Sequence, residues 1–303
     1  MSNLLNNLFG EQEEHEGGES QSPASSELPT QHYNTGNMEA RTQLSSIGPF
    51  QIGIGSSIGM QRDHNEDSLF AMSTIMVSDR VGIPMGLFIV ADGMGGHAHG
   101  EKASELAVQA MVSSVIPELT SSALGLVIDL GEQQLRDLMS RGINSAHKSI
   151  QENAAGGGST LTGLFILDEI VIIAHIGDSR AYHFDGENTS RVLTTDHSLV
   201  KRLEDLGQIT PDEAAIHPQR NVLYRALGQV EQVDADILST ALPSSGHLVV
   251  CSDGLWGVVP DQEISRIISS AADPQKASQL LLAAANAAGG PDNISVIIIQ
   301  IPG

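Results

Sequence analysis

The chain has 303 residues, 40% of them hydrophobic, with 37 acidic against 15 basic side chains and a formal net charge of -22. That balance lacks the basic footprint that displaces counterions from nucleic-acid phosphates, and it disfavours docking on an anionic membrane. It does permit a cluster of carboxylates around bound cations.

Residues 1 to 46 differ in character from the rest of the chain. The stretch "GEQEEHEGGESQSPASSELPTQHYNTGN" is rich in Glu, Gln, Ser, Gly and Pro and cannot bury enough surface to offset its ordering entropy. A disordered acidic tail is therefore expected, ahead of one domain over residues 47–303. Leu4, Leu5, Leu8 and Phe9 can line one face of a short helix, although residual hydrophobicity in a tail explains them more simply. The opening residues have no basic n-region, so no secretory signal is expected, and no apolar run approaches the length of a membrane span. The single cysteine, Cys251, permits no intrachain disulfide and reads as a small buried hydrophobe in a reducing, cytoplasmic protein.

Taken in chain order, "RDHNEDSLF" places Glu66 and Asp67 ahead of a strand-like stretch. "GLFIVA" then reads as a strand that stops at Asp92-Gly93. Helical spacing comes next, in "GEKASELAVQAMVSSVI" and in "LGEQQLRDLMSRGINSAHKSI". "TLTGLFIL", Asp168-Glu169 and "IVIIAHI" form a predicted hairpin, with Asp178 just beyond it. Thr210 and Glu213 make a capping box. "GHLVVC" leads to Asp253, Asp261 is the predicted cap of "QEISRIISSAA", and Asp273-Pro274 to Gly289 bounds a last helix. Asp292 precedes the strand "NISVIIIQI". Hairpins and adjacent helix pairs predict largely antiparallel sheets in a layered α+β fold with helices outside two sheets.

Other signals carry less. "GIGSSIG" lacks the glycine spacing of a dinucleotide fingerprint, and "GGGST" has no lysine before Ser159 and so is no phosphate loop of the Walker type. His97 and His99 are expected in an exposed polar loop, and His175 and His183 in structural positions on strands.

Each acid at a strand end is commonplace when taken alone. Glu66, Asp67, Asp92, Asp178, Asp253 and Asp292 are harder to dismiss together. If they converge, their charges must be neutralised or their pKa values rise until some protonate. Few basic residues are at hand, so metal ions are the natural counter-charge, and an all-oxygen donor set selects Mg²⁺ or Mn²⁺ over zinc. Arg62, four residues before Glu66, can grip a phosphate bidentately, although on spacing alone a solvated surface arginine is the better reading.

Together these motifs resemble the metal-dependent protein phosphatase family, the type 2C serine/threonine phosphatases, in their bacterial branch. The matching pieces are "RDHNEDS", "VADGMGGHAHGEKAS", "GGSTLTGLFI", "HIGDSRAYHF", "CSDGLWGVV" and "GGPDNISVIII". The resemblance implies a four-layer α-β-β-α sandwich with a metal site at one end. It implies that Asp92 bridges two core metals, with the Gly93 carbonyl joining one. Asp253 and Asp292 would complete the first metal, and Glu66 and Asp67 would support the second, directly or through water. Asp178, with Asp253, would hold a third and looser ion, and Arg62 would bind phosphate. Asn293 fills the second place of the family's Asp-Asn pair. Where animal members carry a histidine proposed as general acid, this chain has Met94; a water on the third metal is the first candidate for that task. Residues 197–228 correspond to a flap beside the site, whose Lys201, Arg202, Arg220 and Arg225 are candidates for meeting a phosphorylated protein.

The activity implied is hydrolysis of phosphoserine and phosphothreonine by a hydroxide bridging Mn²⁺ or Mg²⁺, without a phosphoenzyme intermediate. Arg62, Asp92 and Asp178 are the expected catalytic set. Cys251 is disfavoured as a nucleophile, because no basic motif stands by to stabilise its thiolate. A cytoplasmic monomer acting in signalling, on substrates of an opposing serine/threonine kinase, is expected. The alternatives are a hydrolase of small phosphoesters on the same fold and a catalytically silent module that binds phosphoproteins.

Overall fold

Strand-length runs of Val, Ile, Leu and Phe separated by amphipathic helices build a structure, here a computed structural model, that describes residues 49–78, 81–96, 98–124, 131–185 and 189–301. The expected tail and His97 lie outside the described residues. In order, the first half holds β1 (Gln51–Ser57), β2 (Asp67–Ser78), β3 (Val81–Met94), α1 (Ala98–Leu124), α2 (Glu132–Asn153), β4 (Gly158–Ser159), β5 (Leu161–Leu167) and β6 (Ile170–Ile176). The middle holds β7 (Arg180–Phe184), β8 (Ser190–Val192), α3 (Leu199–Asp205), α4 (Pro211–Ala215) and β9 (Asp236–Ala241). The chain closes with β10 (Gly246–Cys251), α5 (Asp253–Trp256), α6 (Asp261–Ser270), α7 (Pro274–Ala287) and β11 (Ile294–Ile301).

The strands form two antiparallel sheets, β1-β11-β10-β7-β8 and β2-β3-β5-β6-β9, with β4 paired to β3. Side chains alternate across each strand, so the central strands feed two cores at once. Phe88 and Val90 of β3 meet Leu164, Leu248, Val250, Ile297 and Ile299 between the sheets. Leu87, Ile89 and Ala91 of the same strand turn outward to Met111, Leu135 and Ile143 of α1 and α2. On the far side, Val296 and Ile298 of β11 pack under Ile264, Ile268 and Leu281 of α6 and α7. The result is the expected four-layer α-β-β-α sandwich. Each fully buried aliphatic or aromatic side chain stabilises it by about 1.5–3 kcal/mol, enough collectively to hold several desolvated carboxylates in place.

The boundaries show where local signals act. The Asp168-Glu169 turn joins β5 to β6 in register Leu167 to Ile170, with Asp168 at φ 53. The Thr210–Glu213 capping box is formed, and at the start of α7 the Asp273 carboxylate accepts from the Lys276 amide at 2.7 Å. After α7, the Gly289 amide donates to the Asn286 carbonyl and the Gly290 amide to that of Ala285, ending the helix with Gly289 at φ +112. Asp261 is not the cap of α6: Pro260 is, and Asp261 occupies the first turn, where the helix dipole favours its negative charge. His99 is exposed as expected, but within the first turn of α1 rather than in a loop. Among the described residues, no helix is long and apolar enough to cross a membrane.

Candidate active site

The acids gather because the sheets end together. Asp67 opens β2 and pairs in register with Asp92 near the end of β3. Asp178 lies in the link from β6 to β7, where the chain passes from one sheet to the other. Asp253 is the first residue of α5, immediately after β10, and Asp292 stands just ahead of β11. A cavity of about 450 Å³ is lined by Arg62, Glu66, Asp92, Gly93, Asp178, Asp253 and Asp292 together. Of the residues expected to hold metal, only Asp67 is set back from its surface.

Backbone and hydroxyl contacts fix these side chains. The Asp92 amide donates to the Thr160 hydroxyl at 2.9 Å, and the Asp92 carbonyl accepts from the Ser159 hydroxyl and the Thr160 amide. The Ser252 hydroxyl donates to Asp67 Oδ2 at 2.8 Å while accepting from the Ser295 amide at 2.9 Å. Asn293 staples the loop that carries Arg62 and Glu66: its Oδ1 accepts from the Glu66 amide, and its Nδ2 donates to the Ile58 and His64 carbonyls, all at 2.8–2.9 Å. The Glu66 carbonyl accepts from the Gly93 amide and the Ser104 hydroxyl. Gly93 is required for this closeness, because a Cβ there would strike the Gly100 backbone at the start of α1.

Electrostatically the site is unbalanced. Desolvation, with the neighbouring aspartates adding to it, pushes Asp92 and Asp178 well above the usual carboxylate range. Desolvation likewise lifts Asp67 to about 7 and Asp253 to about 6. Among the described residues, Asp67, Asp92, Asp178 and Asp253 form no ion pair. Arg62 is committed to Asp292 at 2.7 Å, a contact that raises its own pKa. The enclosed Oδ1 atoms of Asp67 and Asp253 have no hydrogen-bond partner among the described residues.

Orphaned, enclosed carboxylate oxygens at a shared cavity are what hard divalent cations satisfy. The donor set is oxygen throughout, so the residues fit Mg²⁺ or Mn²⁺. Among the described residues, no three His, Cys, Asp or Glu side chains already close on one point as a finished metal site. The carboxylates other than Asp67 instead line one shared cavity.

A protein phosphatase 2C family model matches residues 54–294. The chain belongs to the protein phosphatase 2C family. The phosphatase is 35% identical over 220 residues to the serine/threonine phosphatase stp of Listeria welshimeri, covering 71% of this chain and 84% of that one. Its fold superposes on a serine/threonine phosphatase of S. agalactiae with TM-score 0.71 at 32% identity, over 84% of this chain and 100% of that one. It also matches the catalytic domain of the serine/threonine phosphatase PstP in complex with two manganese ions, with TM-score 0.66 at 26% identity, over 83% and 97% of the two chains.

Around the phosphatase's acids stand residues to which the motifs assign no role. Thr160 and Ser252 lie within motif stretches, but their hydroxyls meet Asp92 and Asp67, which are far away in sequence. Asn221 and Leu223 bring the end of the flap to the cavity wall, a placement that only the tertiary fold supplies. The flap's cations divide in two. Lys201 pairs with Glu204 and Asp205, and Arg225 with Asp234 and Asp236. Arg202 and Arg220 are exposed and form no ion pair among the described residues. His175 is structural as expected: burial holds its pKa down to about 3, and its ring bridges the Thr162 hydroxyl and the Thr195 carbonyl. His183 bonds the Ser245 carbonyl. Cys251 is buried, and burial pushes its thiol up, away from the thiolate form a nucleophile needs.

Proposed function

We propose that this serine/threonine protein phosphatase hydrolyses phosphoserine and phosphothreonine in proteins at the Asp92 cavity, with Mn²⁺ or Mg²⁺ as cofactor. The observation that carries the reading is the convergence of unpaired, desolvated carboxylates on one cavity with a single guanidinium at its edge. Divalent cations bound there would neutralise the cluster, lower the pKa of a water and polarise the phosphoryl oxygens.

Position supports the following residue roles. Asp92, whose carboxyl is pushed up by burial and by the charges of Asp67, Asp253, Asp178 and Asp292, would be the central ligand of the bound cations, with the Gly93 carbonyl as a further donor. Asp253 and Asp292 would hold one cation, and Glu66 and Asp67 would support the other, directly or through water. Asp178 and Asp253 would hold a third, looser cation. Arg62, exposed and on a stapled loop, exchanges its bond to Asp292 for the substrate phosphate, whose dianion it fits bidentately. Met94 lines the cavity but has no proton to give, so the leaving alkoxide takes its proton from water in the cavity.

Charge and composition support the wider assignment. A net charge of -22 favours a soluble monomer, and one buried free cysteine fits a reducing cytoplasm. There the enzyme would oppose a serine/threonine kinase in signalling. The test is turnover of phosphothreonine and phosphoserine peptides, a phosphotyrosine peptide and small phosphoesters, with Mn²⁺, after EDTA, and after Mn²⁺ is restored. Cation-dependent turnover led by the phosphothreonine and phosphoserine peptides is expected. Turnover of small phosphoesters alone would move the chain to the other hydrolase class, and activity surviving exhaustive chelation would remove the cations from the reaction.

A further inference from the structure

The loop that carries Asp178 is fastened at its carbonyl by the indole of Trp256, whose Nε1–H donates to the Asp178 oxygen at 3.0 Å. Trp256 is itself held. The Arg180 guanidinium lies over its ring, 3.5 Å from the centroid. That guanidinium is locked in plane by two bonds to the Asp196 carboxylate, at 2.9 and 2.7 Å, and a third to the Tyr182 hydroxyl at 3.2 Å. Asp196 and Tyr182 are buried, so the fork has little freedom. A planar cation fixed by a bidentate carboxylate presents one face, and an indole is the best aromatic acceptor of that face.

The same short helix, α5, begins with Asp253 and ends with Trp256. One rigid turn therefore carries one acid of the looser cation site and the fastener of the other. The separation of Asp178 and Asp253 is set by α5 and the Arg180–Asp196 pair behind it.

We propose that Trp256, braced by Arg180 and Asp196, is a positioning residue for Asp178 and governs the affinity of the looser cation. This rests on the reading of Asp178 as a ligand of that cation. Trp256 is also the one tryptophan of the chain, so its emission is a built-in reporter of the Asp178 loop.

The test compares wild type, Asp178→Asn, Trp256→Phe and Arg180→Lys. Phenylalanine keeps a ring under the guanidinium but loses the N–H donor. Lysine keeps the charge but loses the fork. Calorimetric Mg²⁺ titration of the wild type should resolve tight binding and a weaker phase, with the tryptophan emission changing in the weaker phase. Asp178→Asn should abolish that emission change. Trp256→Phe should weaken the loose cation about tenfold or more, the scale of losing a partner that orients a ligand, and leave tight binding intact. Its kcat on a phosphothreonine peptide should fall by a similar factor at unchanged KM once Mg²⁺ is subsaturating, with recovery at high Mg²⁺. Arg180→Lys should show the same pattern at reduced size.

A wild type with a loose cation that Trp256→Phe and Arg180→Lys leave untouched would overturn the clamp alone, as would a lower melting temperature with unaltered cation affinity. An emission response that persists in Asp178→Asn would also overturn it. A fully active wild type that binds only tight cations would instead sink the reading of Asp178, and the clamp with it.

Discussion

The strands that deliver Asp92, Asp178 and Asp253 come out of layers where side chains are packed on both faces: β5 is buried at every residue and β6 at all but its first. The flap beside them is built differently. Helix α3 buries none of its residues, α4 buries only Ala214, and Ile216 is 80% exposed. Groups that must hold charge against repulsion are thus anchored where local unfolding costs most, whereas the flap, which we propose meets the protein substrate, sits where it costs least. On that proposal chemistry and recognition occupy regions of different rigidity, and substitutions in the two should fail in different ways.

The largest effect is expected on the rigid side. Asp92→Asn or Asp253→Asn should lower turnover of an aryl phosphate by at least about 10³-fold, because each removes a charge while keeping the shape. Circular dichroism should show an intact fold. Near-normal turnover in either variant with Mn²⁺ present would erase the contrast between the two regions. Arg62 stands between them, anchored through Asn293 yet exposed. Arg62→Ala should cost about 10–10²-fold in kcat/KM, the worth of lost charge-assisted bonds, and Arg62→Lys should recover only part of it, since lysine cannot bond bidentately.

How much of this is legible in the sequence depends on what each residue packs against. Asp92 and Asp253 stand out because both come after strands too apolar to be exposed. By contrast β1 alternates Ile with Gly but buries the wrong partner, Gly53 and Gly55 being buried and Ile54 exposed. The reason is the close approach of α7: a Cβ on Gly53 would collide with the Pro274 carbonyl. Edge strand β9 is equally silent, its residues being exposed or half-buried throughout. The hydroxyls of Thr160 and Ser252 take their roles from partners 68 and 185 residues away, and no local pattern encodes such contacts.

A subtler expectation concerns pH. In the cation-free fold Asp67 and Asp253 titrate at about 7 and about 6, above the ~3.9 of an unfolded chain. The folded state therefore holds more protons across that window, and the stability these groups contribute is present below the unfolded value and lost as pH rises through the folded ones. Chelated protein should melt at a lower temperature at about pH 8 than at about pH 5, and Mg²⁺ should reverse or flatten that slope. An unchanged slope on adding Mg²⁺, monitored by differential scanning calorimetry, would show that the acids do not share a cation. Asp67→Asn should flatten it without any metal.

The smallest effects belong to the flap and the leading segment. Ile216→Ser should change stability by no more than about 0.5 kcal/mol and leave aryl phosphate turnover alone, while lowering kcat/KM on a phosphoprotein a few-fold. Equal losses on both substrates would mean that the flap serves the chemistry itself. Removal of residues 1–46, which we propose to be dispensable for catalysis, should alter aryl phosphate turnover by less than about twofold.

The staple made by Asn293 carries a further consequence, for synthesis. Strand β1 is the first of the described strands and pairs with β11, the last, and the Arg62 loop is fixed by residues 289–293. Chains are made from the N-terminus at about 5–20 residues per second, so everything up to α7 emerges before either anchor exists. A nascent or prematurely ended chain that stops short of Asp292 can bury much of the sandwich, yet it has neither a fixed guanidinium nor a full set of acids. In chain order, residues 197–228 beside the cavity are therefore made before the site's last acid, so a complete set of acids never precedes them.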